Sequence, residues 1–192
     1  MATAPNSGQA GFLAPVSAPV YDDPLDDILQ QTVSGLTGIP GALVRPKWQK
    51  EPPQHPPTTT LWCAFGLQDS DVDTFAFEGH DQASSSVERD ELLTFLISFI
   101  GPGAHGAAER FRDGLEVSQN RDLLRNAGIG LVEVQRAIKV PALFHDQWLP
   151  KVDVSVIFRR RTTRTFAVLS LQAADIELRT ESRTDLIPVD NP

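Results

Sequence analysis

The chain has 192 residues, 41% of them hydrophobic and 22% charged, which is enough for one domain-sized core. Its net charge of −8 excludes general affinity for nucleic acid, which would have to rest on a local basic patch. The single cysteine, Cys63, excludes an intrachain disulfide and a Cys-rich zinc site, and it fits a reducing compartment.

No apolar run approaches the ~20 residues of a membrane helix. No Lys or Arg precedes Arg45, so the charged start of a secretory signal is missing. A soluble protein with no membrane partner is expected. Residues 1–20 are Ala, Pro, Ser and Gly with few large apolar groups, and read as a flexible or extended arm.

Pro24 then stands at the first-turn position of a helix over 24–36, with Asp22 or Asp23 as cap and Leu25, Ile28, Leu29, Val33 and Leu36 at helical spacing. Gly35, Gly38 and Pro40 close it. Residues 45–57 hold five prolines and read as an extended connector unable to join a regular ladder. The first strand is expected over Thr58–Leu67, followed by an aspartate-rich turn and a short strand over Thr74–Phe77.

Ser84–Ile100 reads as one long strand, or two joined at Glu88–Glu91. Its end, LLTFLISFI, is apolar enough to be central and buried on both faces, with a buried helix as the competing reading. A helix over Ala104–Glu116 follows, with Ala107, Ala108, Phe111 and Leu115 on one side. A second, short helix runs from a Ser118 or Asn120 cap to Arg125, and Gly128 supplies its left-handed stop. Ile129–Val140 is another strand, and Trp148, Leu149 and Pro150 form an irregular entry to the next element.

From Val152 the apolar residues alternate with polar ones to Arg159, and a β-branched run resumes at Thr165–Leu171. Between them Arg160–Arg164 holds three arginines and two threonines, as at the exposed tip of a long β-hairpin. Ala174–Arg179 is expected as an edge strand and 180–192 as a polar tail. The fold class is α+β: a single domain over 21–179, with its core at 58–179, a mostly antiparallel sheet, a long C-terminal hairpin and two to three helices on one face.

Gly101-Pro-Gly103-Ala-His-Gly106 matches G-x-G-x-x-G between a strand and a helix, the setting of a dinucleotide site. The strand–helix alternation does not continue, and Pro102 removes a donor, so a chain-reversing turn is the better reading. His55, His80, His105 and His145 are scattered, although Asp81 and Asp146 adjoin two of them. Cys63 lies in an apolar strand that would keep its thiol inert. These residues point to no enzyme, cofactor or metal. Arg159, Arg160, Arg161 and Arg164 are the one dense basic cluster, suited to an acidic protein surface or phosphate, or else a solvated tip guarding strand edges.

TGIPGALVRPKWQKEPPQHP, WCAFG, LLTFLISFIGPGA, GLEVSQNRDLL, GIGLVEV and VPALFHDQWLPKVDVSVIFRRR together resemble a family of phage neck proteins grouped with the tail terminators of long-tailed bacteriophages. The resemblance covers Asp23–Leu178. Its most specific pieces are Val44-Arg45-Pro46 with Trp48-Gln49, Gly101-Pro102, Asn120-Arg121, and Trp148 ahead of Val152-Asp153. Lys151 departs from the arginine usual in the family and would make a fork-shaped contact less well.

The resemblance implies a subunit of a homo-oligomeric ring, a hexamer, that stops growth of the tail tube and joins the tail to the head connector. Implied partners are tube, sheath and connector proteins, with genomic DNA passing the channel without sequence-specific binding. The implied location is the virion neck after assembly in the host cytoplasm, without catalysis or cofactor. A connector-side adaptor or stopper is the alternative. The expected interaction residues are Arg159, Arg160, Arg161, Arg164, Trp148 and Lys151.

Overall fold

The computed structural model describes residues 8, 11–17, 19, 21–51, 53–81, 83–144 and 146–168. The first element is α1, Asp23–Thr37, with Pro24 in its first turn and Leu25, Leu29 and Val33 buried. Gly38 ends it in the left-handed conformation (φ 74°), donating its N–H to the Ser34 carbonyl at 2.9 Å. Asp22 occupies the cap position without a side-chain cap bond.

A 3-10 turn at Gly41–Leu43 leads into β1, Val44–Pro46. Then come β2 (Trp62–Val72), β3 (Phe77–His80) and β4 (Ser85–Ile100). Next are α2 (Ala104–Glu116), a 3-10 turn at Ser118–Arg121, and α3 (Asp122–Asn126). The remaining strands are β5 (Ile129–Val134), β6 (Ile138–Lys139), β7 (Ala142–Phe144), β8 (Gln147–Leu149) and β9 (Lys151–Phe166).

The main sheet runs β1-β2-β4-β9-β5, with β3 added to β4 and β6 to β9; β7 and β8 form a separate pair. β1 is parallel to β2, and every other pairing is antiparallel. At its centre β4 and β9 pair without a break from Ser85↔Phe166 to Ile100↔Lys151.

That register fixes two faces, because side chains directly opposite one another point the same way. Phe65, Leu93, Phe95, Ile97, Phe99, Val152, Val154, Val156 and Phe158 are buried on one face, in a single cluster with Leu25, Leu29 and Val33 of α1, Phe111 and Leu115 of α2, and Leu124 of α3. The rings of Phe99 and Phe111 meet at 5.8 Å. Truncating either ring to alanine would cost ~3–5 kcal/mol. The fold is thus a single α+β domain with three α-helices, among the described residues, on one face of a mostly antiparallel sheet.

Several local expectations are corrected. The hairpin tip expected at Arg160–Arg164 is not a tip: Thr162 is 2% exposed and β9 pairs with β4 straight through it to Phe166, while the end of the expected second run, 169–171, lies outside the described residues. The segment holds no Gly, Pro, Asn or Asp to make a turn, and its threonines suit a strand. Polarity reads as a tip only when the partner strand's charges are ignored.

The aspartate-rich stretch after Leu67 is not a turn either. β2 continues through it after a bulge between Leu67 and Asp69. Of the proline-rich connector, Arg45 and Pro46 do join the ladder, at an edge where proline's missing donor costs nothing. The first strand starts at Trp62 instead of Thr58, and the short one is Phe77–His80 instead of Thr74–Phe77.

Ile129–Val140 breaks into β5 and β6, and Trp148 and Leu149 belong to β8 instead of an irregular entry. LLTFLISFI is central but not buried on both faces, since Leu92 is 40% exposed. The Ala174–Arg179 strand and the 180–192 tail lie outside the described residues. Of the N-terminal arm, Pro15 bridges to Phe166, and Val16 donates to the Thr165 carbonyl at 2.7 Å.

Gly101 turns the chain from β4 into α2 at φ 108°. A Cβ there would lie 2.4 Å from the Thr60 carbonyl oxygen, so no other residue fits. The G-x-G-x-x-G run is therefore a reversal in an antiparallel setting.

Candidate assembly interface

The sheet face away from the helices carries Trp62, Ala64, Gly66, Leu92, Thr94, Leu96, Ser98 and Ile100 in matched register. No helix of the core cluster covers it. One end is aromatic and basic. Trp48 has φ 58° and lies flat enough on Gly66 that a Cβ there would fall 2.6 Å from the indole. Even so, it remains 72% exposed.

His55 stacks on Phe144 at 4.0 Å and meets the Trp62 ring edge-on at 5.1 Å. Trp48, His55, Trp62, Arg45 and Lys47 line a groove of about 360 Å³. Beside it the Lys47 ammonium donates to Ser98 Oγ at 2.8 Å, and the Ser98 hydroxyl donates to Asp153. Lys151 pairs with the same carboxylate at 3.1 Å. Burial holds Lys47 below the ordinary lysine range, with Asp153 opposing the shift.

The opposite end of the same face is acidic. Register places Asp69 and Asp71 of β2 beside Thr94 and Leu92, with Glu88 and Asp90 further along β4. Phe75 and Phe77 stand there 88% and 68% exposed. With Asp73, Glu88, Asp90 and Arg161 they border a second cavity of about 360 Å³. Arg161 reaches Asp90 at 3.3 Å, and that hydrogen bond raises the guanidinium further above its ordinary range.

The structure does not bring the six expected interaction residues together. Alternation along β9 puts Arg159 and Arg161, both exposed, on the helix-free face. Arg160 and Arg164 turn to the other face. Arg160 is 5% exposed and pairs with Glu91 at 2.7 Å, so it is a core residue instead of a contact at a tip.

Tyr21, just ahead of α1, covers this pair: its ring lies 4.4 Å from the Arg160 guanidinium carbon. Arg164 Nη2 also donates to the Tyr21 hydroxyl at 3.1 Å. Trp148 is 69% exposed on β8, and Lys151 opens β9 beside Asp153.

Residue reading missed Glu91, the last of three acids (Glu88, Asp90, Glu91) ahead of an apolar strand run and the one whose alternation puts it on the buried face with Leu93 and Phe95. It also missed the His55–Trp62–Phe144 cluster, which only folding the proline-rich connector back onto the sheet assembles. Cys63 is wholly buried, and burial pushes its thiol well above the ordinary range. Among the described residues no group of three or more His, Cys, Asp or Glu side chains could hold a metal ion.

These features define a small α+β protein with one sheet face backed by helices and the other partly covered at its Trp62 end, where Ala64, Ile100 and Leu149 are buried together with Phe144 packed against them. The chain belongs to the phage neck terminator protein family, whose model matches residues 23–182. It is accordingly a structural protein of the phage neck. No curated protein matches the sequence significantly. Among solved structures, a chain of a "Virion of native gene transfer agent (GTA) particle" aligns over 74% of this chain and 99% of its own, at 18% identity. Its TM-score is 0.31.

Proposed function

We propose that the protein is the tail terminator itself: a subunit that closes into a ring of six on the end of the tail tube and joins the tail to the head connector. The observation that carries this reading is the family match across residues 23–182. The helix-free face supports it, because four exposed large apolar side chains lie at its ends and along it, Trp48, Leu92, Phe75 and Phe77, while Leu143 and Trp148 are exposed side by side on the β7–β8 pair. The outer edge of β5, unpaired among the described residues, offers a further pairing site.

Arg159, Arg161, Trp148 and Lys151 serve contacts with neighbours in this reading, while Arg160 and Arg164 act inside the subunit. The net charge of −8 suits a channel that lets DNA pass without adhesion. The subunit works without catalysis or cofactor, and is made in the host cytoplasm before entering the virion neck.

The test is electron microscopy of the purified chain, alone and mixed with the phage's own tail tubes. Closed rings, with one ring capping each tube, are expected. Monomers at high concentration together with uncapped tubes would overturn the reading.

A further inference from the structure

We propose that copies of this chain associate by seating the acidic Phe75–Phe77 end of one in the basic Trp48–Trp62 groove of the next. This rests on the ring reading and adds which two surfaces meet. Both lie on the helix-free face, at opposite ends of β4. At about 3.3 Å per residue, the stretch from Glu88 to Ile100 separates them by ~40 Å. A subunit therefore cannot close the contact on itself, and the occupant is a second copy.

Charge selects the pairing. The acidic end carries Asp69, Asp71, Asp73, Glu88 and Asp90 against Arg159 and Arg161. The groove end carries Arg45, Lys47 and Lys151 against Asp153. Two acidic ends, or two groove ends, would set like charges together, so only the unlike pairing is attractive on both counts.

The apolar parts match as well. Phe75 and Phe77, exposed by 88% and 68%, would leave water for a groove walled by indole and imidazole rings. A contact between two different patches is heterologous, and repeating it turns each copy by the same angle, giving a ring where the rotation closes and an open filament where it does not.

Cross-linking of the full chain tests this. Asp73 and Gln49 are both exposed, one at each patch, and buried Cys63 gives no background. A mixture of D73C and Q49C chains, treated with a short bis-maleimide, should give covalent dimers that neither chain gives alone. A chain carrying both substitutions should give a ladder. Adding Phe75→Ser with Phe77→Ser, or Trp48→Ala, should cut the yield at least tenfold while leaving the thermal melt unchanged.

Rings are counted by microscopy in the same samples. Rings without the mixed cross-link, or with like-to-like cross-links only, overturn this inference and leave the ring reading intact. Mixed cross-links in samples that never close support the contact and overturn the ring. Absence of both overturns both.

Discussion

Arg160 and Glu91 face each other across β9 and β4, 69 residues apart in sequence, and form an ion pair whose side chains are 5% and 3% exposed. Ser70 donates a second hydrogen bond to the same carboxylate at 2.6 Å, and Tyr21 covers the guanidinium. A buried pair of this kind contributes little net stability beside an apolar replacement, but losing one partner strands a charge. Glu91→Ala should therefore cost ~3–5 kcal/mol in urea unfolding. The joint replacement of Glu91 by Leu and Arg160 by Met should recover most of that loss. Equal damage from the double and single variants would show that the pair is needed for more than charge balance.

Gly101→Ala should destabilise the protein by about 3 kcal/mol or more, since backbone strain at φ 108° adds to a clash with the Thr60 carbonyl. Gly128 also has positive φ, 74°, but open space around it. Gly128→Ala should cost only ~1–2 kcal/mol. Thermal melts of the two variants give the comparison, and similar losses would count against the tight Thr60 contact.

Cys63 should resist thiol reagents in the folded protein, because burial both blocks access and disfavours the thiolate. Its labelling rate should track global unfolding as denaturant is added. Fast labelling in native buffer would contradict the packing around β2.

Asp26 has its pKa raised, first by burial and then by Asp23, Asp22 and Asp27. A carboxyl with a raised folded pKa contributes stability that is fully present below the unfolded value of 3.8 and is lost as pH rises through the folded value. The stability of Asp26→Asn relative to the parent should thus improve on going from below pH 3.8 to neutrality, by less than ~1 kcal/mol given the partial exposure. Unfolding curves at both ends of that range decide it; an unchanged difference would mean that the helix N-terminus offsets the repulsion.

Helices were the easiest part to read from sequence, because the positions of Leu25, Leu29 and Val33, or of Phe111 and Leu115, repeat at the helical period and Gly38 and Gly128 mark the stops. Ser84–Ile100 was likewise readable by its length and β-branched content. The arginine stretch misled because period-two burial of Arg160 and Thr162 depends on Glu91 and Arg89 on another strand, which a local pattern cannot show. The aspartates of β2 misled for a related reason: an edge extending beyond the helices can be polar without being a turn. Trp148, expected as an interaction residue, is exposed on the separate β7–β8 pair. The groove under Trp48 needs the connector, β2 and β7 brought together in space.

The β4–β9 ladder also orders events during synthesis. Its contacts join residues 55 apart at Ser98 and Asp153 and 69 apart at Glu91 and Arg160, so this ladder cannot be completed until the chain has been made through Phe166. Until then LLTFLISFI lacks its long partner strand and is the segment most prone to associate with other nascent chains. Chains ending before β9 should accumulate as aggregates, and the yield of soluble subunit should depend on how quickly translation carries β9 out to meet β4.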